Sequence, residues 1–306
     1  MKCYQRVLLG ILLIVISLTG CTSESNISQN APQTSEQKEW NYAFHYGSDY
    51  WKYYDFSDSF ISTQEDFEAL VASYIPQIEN LIHAEDWYTD YDADADTVFV
   101  NLEIGGTPHS MACAPTKGAN GAIEFSVLLS FNEVKTPTDR GLPHELTHSV
   151  LGTSCFSNSL EEGICDYVTA RIGVNYSSFF EEYDIDIMDL YTYNAKLALE
   201  ELYDAEKSNE MLDSIGRSGG YTYSVQTQDG IVWYECSQCF VEYLVNRYGM
   251  EATMQLIREG NDESDYQTYL GIGYEALKEE WITYVKNYEP KHTIEEYKKM
   301  IQEFFK

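Results

Sequence analysis

Basic side chains are in short supply. The 306 residues hold 19 Lys and Arg against 50 Asp and Glu, a formal charge of −31. Such a chain is repelled by nucleic acid and by anionic lipid headgroups, so nucleic acid is not expected as a partner. A cationic substrate would be attracted, but a solvated acidic surface is the plainer account of the charge. Beyond residue 18 there is no apolar run long enough to cross a bilayer. No internal repeat is visible. Histidine is scarce, with six in the chain. What remains is ordinary for a globular protein: 44% hydrophobic and 23% charged residues. The length suffices for one large or two small domains with a full core.

The first signal is N-terminal. Lys2 and Arg6 form a basic region, and Val7 to Leu18 an apolar one too short to span a membrane as a mature helix. Leu18-Thr19-Gly20-Cys21 follows, which closely resembles the lipobox of bacterial lipoproteins. That resemblance implies cleavage of residues 1–20, acylation of the Cys21 sulfur, and a chain anchored by lipid to the outer face of a cell membrane. Residues 22–39 are mostly Ser, Asn, Gln and Thr, a composition that buries no core. They read as a tether that reaches about 60 Å when fully extended.

From Trp40 the composition turns globular. Thr63 reads as a helix cap ahead of apolar residues at helical spacing from Phe67 to Ile82, and Pro76 predicts a kink or break. Asp90 to Asp96 alternates Asp, and a calcium frame would run from Asp92 to Glu103. Thr97 stands in that frame where the turn needs Gly, so an acidic turn before a strand is the better expectation. Strands are expected over 97–104 and 123–131. The Gly-, Pro- and Ala-rich stretch between them is either a strand edge for an extended peptide or a plain surface loop. His109 within it is a cleft-lining or surface histidine. After residue 140 the pattern is helical, with candidates at 141–151, 159–172, 178–205, 233–248, 251–259, 273–287 and 293–305. Gly152, Gly173, Gly249 and Gly260 stand where helix stops belong. Strands first and helices after indicate an α+β arrangement.

The chemistry centres on Pro143-His144-Glu145-Leu146-Thr147-His148. On a helix, positions i and i+4 share a face, so both imidazoles can reach one zinc ion. Glu145 is placed to take a proton from a water that the ion activates. Pro143 suits the first turn of a helix. A catalytic zinc needs a third protein ligand. Downstream lies Ser159-Leu160-Glu161-Glu162-Gly163-Ile164-Cys165-Asp166. Ser159 with Glu162 also fits a capping box, which would need no metal. Glu161 and Asp166 are the other carboxylates in reach of the same role.

HELTH followed by Glu162-Gly163 resembles the gluzincins, the thermolysin and aminopeptidase branch of zinc peptidases. The resemblance implies a zincin-like fold, one catalytic Zn2+, and Glu162 as third ligand. It also implies that Asp166, four residues on, orients a ligand histidine. The interval from His148 to Glu162 is shorter than in thermolysin. Leu151-Gly152-Thr153 points instead toward the aspzincins, whose further Asp and Tyr-Gly are missing here. Residues 232–249 resemble a helix that follows the site in peptidase-MA-like gluzincins. Tyr234 matches its leading Tyr, implying an oxyanion donor; Tyr221 and Tyr223 are rivals, while Phe240 and Tyr248 are more simply core. Residues 270–285 resemble that family's closing helix.

Of seven cysteines, Cys3 leaves with the signal and Cys21 takes lipid. The odd remainder cannot all pair. In an exported protein Cys155 with Cys165 is the preferred disulfide, tying together the two elements that hold the metal. Cys236-Ser-Gln-Cys239 is a CxxC without a second CxxC, inside an apolar helical pattern, and buried packing suits it as well as zinc or redox work.

The expectation is therefore a single α+β gluzincin-like domain over 40–306 that hydrolyses peptide bonds in a peptide or protein substrate. Its metal ligands would be His144, His148 and Glu162, its base Glu145, and its oxyanion donor Tyr234. The alternatives are a catalytically inactive surface lipoprotein that keeps the fold as a binding module, or an adhesion domain whose HExxH is structural.

Overall fold

The computed structural model describes residues 38–304, except 58, 108, 136–140, 153–154, 174–181 and 220–226. The signal segment, Cys21, most of the tether, Tyr221 and Tyr223 lie outside the described residues. The class is α+β, and the described residues fall into two compact units. One takes those up to Gly152 with 171–173; the other takes 155–170 and everything from 182 on.

The first unit is built on a mixed sheet. Its strands are β1 (Asn41–Tyr46), β2 (Thr97–Gly105), β3 (Met111–Ala112), β4 (Thr116–Lys117) and β5 (Ala122–Ser130). β1, β2 and β5 run parallel in that order, and β3 and β4 pair antiparallel along the far side of β5. Burial alternates along the central strands as period two requires. Val98, Val100, Leu102 and Ile104 of β2 are buried, as are Ile123, Phe125, Val127 and Leu129 of β5. Between them Phe99, Asn101 and Glu103, and Glu124, Ser126 and Leu128, face the half-exposed side. Glu79, 1% exposed, fastens the entry to β1: its Oε1 accepts from Trp40 Nε1 at 2.8 Å and Trp87 Nε1 at 2.7 Å.

Helix α1 (Gln64–Leu81) starts at the expected cap. Thr63 accepts from Asp66 N–H, and the Asp66 carboxylate accepts from Thr63 N–H, a reciprocal box. The break expected at Pro76 does not occur; the helix runs on to Leu81. Proline in a helix interior costs about 3 kcal/mol. Against it stand Phe67, Val71, Tyr74, Ile75 and Ile78, all buried, each contributing about 1.5–3 kcal/mol. Gln77 Nε2 also donates to the Ser73 carbonyl at 2.9 Å beside the proline. Within the Asp90–Asp96 stretch, Thr89–Asp92 form one short helical turn and residues 93–96 turn into β2. The calcium frame is not a loop, since Thr97 to Glu103 are β2, and Asp92 pairs with Lys117 at 2.9 Å.

Helix α2 (Gly141–Leu151) belongs to this unit and packs on α1, β3 and β5. The second unit is helical: α3 (Asn158–Ile172), α4 (Ile187–Leu197), α5 (Ala205–Ser214), α6 (Gln228–Tyr248), α7 (Met250–Glu259), α8 (Asp265–Leu270), α9 (Tyr274–Asn287) and α10 (Ile294–Phe304). The single helix expected over 178–205 is interrupted in its described part. α4 passes through a π-helical turn at Ala198–Leu202 and stops, and Asp204 caps α5 by accepting from Lys207 N–H at 2.9 Å. Trp233, Phe240, Tyr266 and Trp281 fill the core. Asp189, 1% exposed, ties the C-terminal segment to α4 by accepting from Tyr288 Oη at 2.7 Å, Lys291 N–H at 3.0 Å and Tyr297 Oη. Among the described residues, no helix is long and apolar enough to cross a membrane.

Candidate metal centre

The HExxH segment lies on α2, as its spacing predicts. Gly141 begins the helix in a tight bracket. A Cβ there would stand 2.9 Å from Glu133 Oε2 and 3.0 Å from Ser110 Oγ. Ser110 donates from its N–H to Glu133 at 3.1 Å and also from its hydroxyl, while its Oγ accepts from Ser130 N–H at 2.9 Å. This bracket puts a carboxylate at the positive end of α2. It joins Ser110 to Ser130 and Glu133, 20 and 23 residues away in sequence, so no local pattern announced it.

The far end is also fixed. Gly152 N–H donates to His148 O at 3.1 Å with φ +78°, the left-handed stop expected of it. A Cβ on Gly152 would collide with the Tyr91 hydroxyl. Gly152→Ala should therefore lose at least about 1–2 kcal/mol from the backbone alone. Thermal unfolding checks this; a melting temperature equal to wild type would remove Gly152 from the support of the helix.

Between these ends Leu142, Leu146 and Val150 face the core, and Thr147 Oγ1 donates to Pro143 O at 2.7 Å. His144 and His148 are half-buried on the remaining face, and Glu145 is 5% exposed. The imidazoles converge: their Nε2 atoms stand 3.2 Å apart, with ring centroids at 5.0 Å. Two nitrogens about 2.0–2.1 Å from one tetrahedral ion stand about 3.3–3.4 Å apart. The pair fits two corners of a zinc site. In neutral histidines without an ion, the same spacing allows one N–H to donate to the other nitrogen.

Glu162 and Asp166 lie on α3 in the second unit, half-buried and one turn apart. The Ser159–Glu162 capping box does not form. Ser159 is already inside the helix, and its Oγ accepts from Gly216 N–H at 2.6 Å. Glu161 is the residue that serves the loop, its carboxylate accepting from Cys155 N–H at 3.3 Å. Gly163 is buried against α6, where a Cβ would stand 2.5 Å from the Ser237 carbonyl oxygen and 2.7 Å from Val241 Cγ2. Tyr234, half-buried beside Trp233, lies one turn before that crossing. Phe240 is core at 1% exposed, whereas Tyr248 is half-buried under Arg247.

The preferred Cys155–Cys165 disulfide is not formed; none of the five described cysteines is in a disulfide. Burial pushes the Cys155 thiol up to about 12, which keeps it protonated and unreactive. Cys236 and Cys239 are packing residues in α6: both are fully buried, and desolvation raises both thiols, Cys239 to about 12. The chain matches no protein-family model, no curated protein and no solved structure.

Proposed function

We propose that the chain is a zinc-dependent peptidase of the gluzincin type, with a zincin-like catalytic domain. One observation carries this: two i, i+4 imidazoles whose Nε2 atoms stand 3.2 Å apart, next to a buried carboxylate at Glu145. His144 and His148 hold the ion, and Glu162 is its third protein ligand, with Asp166 orienting a histidine. When bound, zinc would acidify a water and polarise the scissile carbonyl. Glu145 takes the proton of the attacking water and passes it to the leaving amine nitrogen. Tyr234 donates a hydrogen bond from its hydroxyl to the oxyanion. The lipobox-like Leu18 to Cys21 and the polar tether place the domain, in this proposal, at the extracytoplasmic face of a cell membrane on a lipid anchor at Cys21.

Cys165, a thiol of the kind zinc also takes, is the other candidate for the third place. Metal analysis of purified protein should find one zinc per chain, and chelation should stop cleavage of a mixed peptide library read by mass spectrometry. Glu162→Gln should lower zinc affinity by well over about tenfold, while Cys165→Ser keeps the metal. Retention in Glu162→Gln with loss in Cys165→Ser would move the ligand to the thiol; wild type without zinc or cleavage would end the proposal.

A further inference from the structure

β1 is the outermost strand of the sheet, and among the described residues only β2 pairs with it. The register runs unbroken from Asn41↔Thr97 to Tyr46↔Leu102. Asn41 N–H donates to Asp96 O at 2.9 Å and Gly47 N–H to Leu102 O at 3.1 Å. Backbone groups alternate in direction along a strand. Ala43 and His45 therefore also face β2, and the N–H and C=O groups of Tyr42, Phe44 and Tyr46 point off the sheet. Among the described residues, no hydrogen bond meets these groups. Natural edges are blunted by Lys, Pro, a bulge or a covering element. β1 has none of these: its residues, NYAFHY, include no Lys, Arg, Asp, Glu or Pro, and none is buried. The edge is also held rigid, with Phe44 and Tyr46 packed on Phe67 at 6.0 and 6.3 Å between ring centroids. A ready-made strand costs little to bind.

Charge decides what this edge takes. Its Tyr46 end is acidic on both faces of the sheet. On the α1 face Tyr46 Oη donates to Glu68 Oε1 at 2.7 Å. Burial first, then Glu68 and the exposed Glu65, push that hydroxyl up. On the other face the exposed Glu103 reaches Gly47, where a Cβ would stand 2.6 Å from its Oε1. The nearby Lys52 is matched by Asp49 at 3.8 Å. At the Asn41 end stands a cation instead, Lys38, over the Tyr88 ring at 3.9 Å. We propose that β1 docks an extended segment of another protein, which adds to the sheet as a further strand and sets a Lys or Arg beside Glu65, Glu68 and Glu103. Main-chain bonds to Tyr42, Phe44 and Tyr46 hold the segment, and the acids fix its direction. A second copy of this chain is the poorer occupant, since each would bring a formal charge of −31 to the other. The docking edge does not rest on the zinc proposal, because α2 packs on β3 and β5, toward the opposite side of the sheet.

The test follows backbone amide exchange of the full chain by NMR. The probes are short capped peptides of alternating Thr and Val with a pair of Lys, Glu or Ser at one terminus, made in both chain directions. The Lys probe at saturation should slow exchange at Tyr42, Phe44 and Tyr46 by about tenfold or more and leave Ala43 and His45 unchanged. Loose electrostatic contact would not produce that alternation. The Glu probe should bind about tenfold more weakly at low ionic strength, and added salt should narrow the gap. Glu65→Lys combined with Glu103→Lys should reverse the preference while the melting temperature stays as in wild type, since both side chains are exposed. A saturating Lys probe that leaves the three amides unchanged would overturn the proposal, as would equal binding of the Lys and Glu probes. Protection that rises with chain concentration alone would give the edge to a second copy. Protection at every concentration without a probe would give it to the chain's own N-terminal segment. Either of these also overturns docking of a foreign segment.

Discussion

Glu145→Gln should retain zinc at the wild-type level and lose peptide hydrolysis by about three orders of magnitude, within the 10²–10⁴ that general acid–base catalysis contributes. The substitution changes no volume and keeps a hydrogen-bonding head group at a position 5% exposed, so α2 should fold as before. What it removes is the ability to accept a proton. Glu145 is not among the proposed ligands, so metal content and turnover separate cleanly. Glu145→Asp withdraws the carboxylate by one methylene, about 1 Å or more, and misplacement on that scale costs about a hundredfold. Its activity should fall between the two. A Gln variant that cleaves as fast as wild type would remove Glu145 from the chemistry. Loss of zinc together with activity would make Glu145 a structural support of the helix. A binding module that keeps the fold differs at the outset, since its wild type would hold zinc and cleave nothing.

Sequence patterns located most elements where burial has a strong period. β2 and β5 alternate every second residue, and their observed ends, Thr97–Gly105 and Ala122–Ser130, differ by one residue from expectation. α2 begins and ends at the expected residues because Gly152 needs a left-handed backbone that few other residues adopt cheaply. β1 was missed although its signal is present. Tyr42, Phe44 and Tyr46 alternate with Asn41, Ala43 and His45, and successive aromatic rings stack at 6.5 Å. Only two of the six strand residues are apolar aliphatic or Phe, so tyrosine carried the pattern. Pro76 does not break its helix: a local cost of about 3 kcal/mol is outweighed by burial, which depends on a partner surface that a single helix does not reveal.

Less of the candidate site was legible. The histidine pair followed from i, i+4 geometry alone, and the structure adds the 3.2 Å convergence. The Ser110–Glu133 bracket around Gly141 was out of reach, because its members are brought together by strand pairing. The Ser159–Glu162 box was a sound local pattern that a distant donor overrode: Gly216 N–H takes the hydroxyl, 57 residues away in sequence. The Cys155–Cys165 pairing failed for a different reason. An odd cysteine count and an expected oxidising compartment permit a disulfide without requiring one, and both residues are buried with no disulfide between them.

Gly163→Ala should destabilise the second unit although it adds a single methyl to a helix. Glycine normally weakens a helix interior by about 1 kcal/mol relative to alanine, so on propensity alone the change would stabilise α3. Packing reverses the sign. The added Cβ would stand 2.5 Å from the Ser237 carbonyl oxygen and 2.7 Å from Val241 Cγ2. The first of these is backbone in a buried turn of α6, so no rotamer change relieves it. The helices must separate, and overpacking of this kind costs about 1–3 kcal/mol, occasionally more. Subtracting the propensity gain of about 1 kcal/mol leaves an expected net loss of up to about 2 kcal/mol. Gly106→Ala is the control, since a Cβ there meets nothing within 4 Å and its φ is not positive. It should melt with wild type. Glu162 precedes Gly163 and Tyr234 lies one turn before Ser237, so separating α3 from α6 should also weaken zinc binding and turnover if both residues serve the metal. A Gly163→Ala protein that melts below wild type yet keeps its zinc and its activity would show that the crossing supports the fold alone. One that melts with wild type would contradict the packing of α3 on α6 at its closest point.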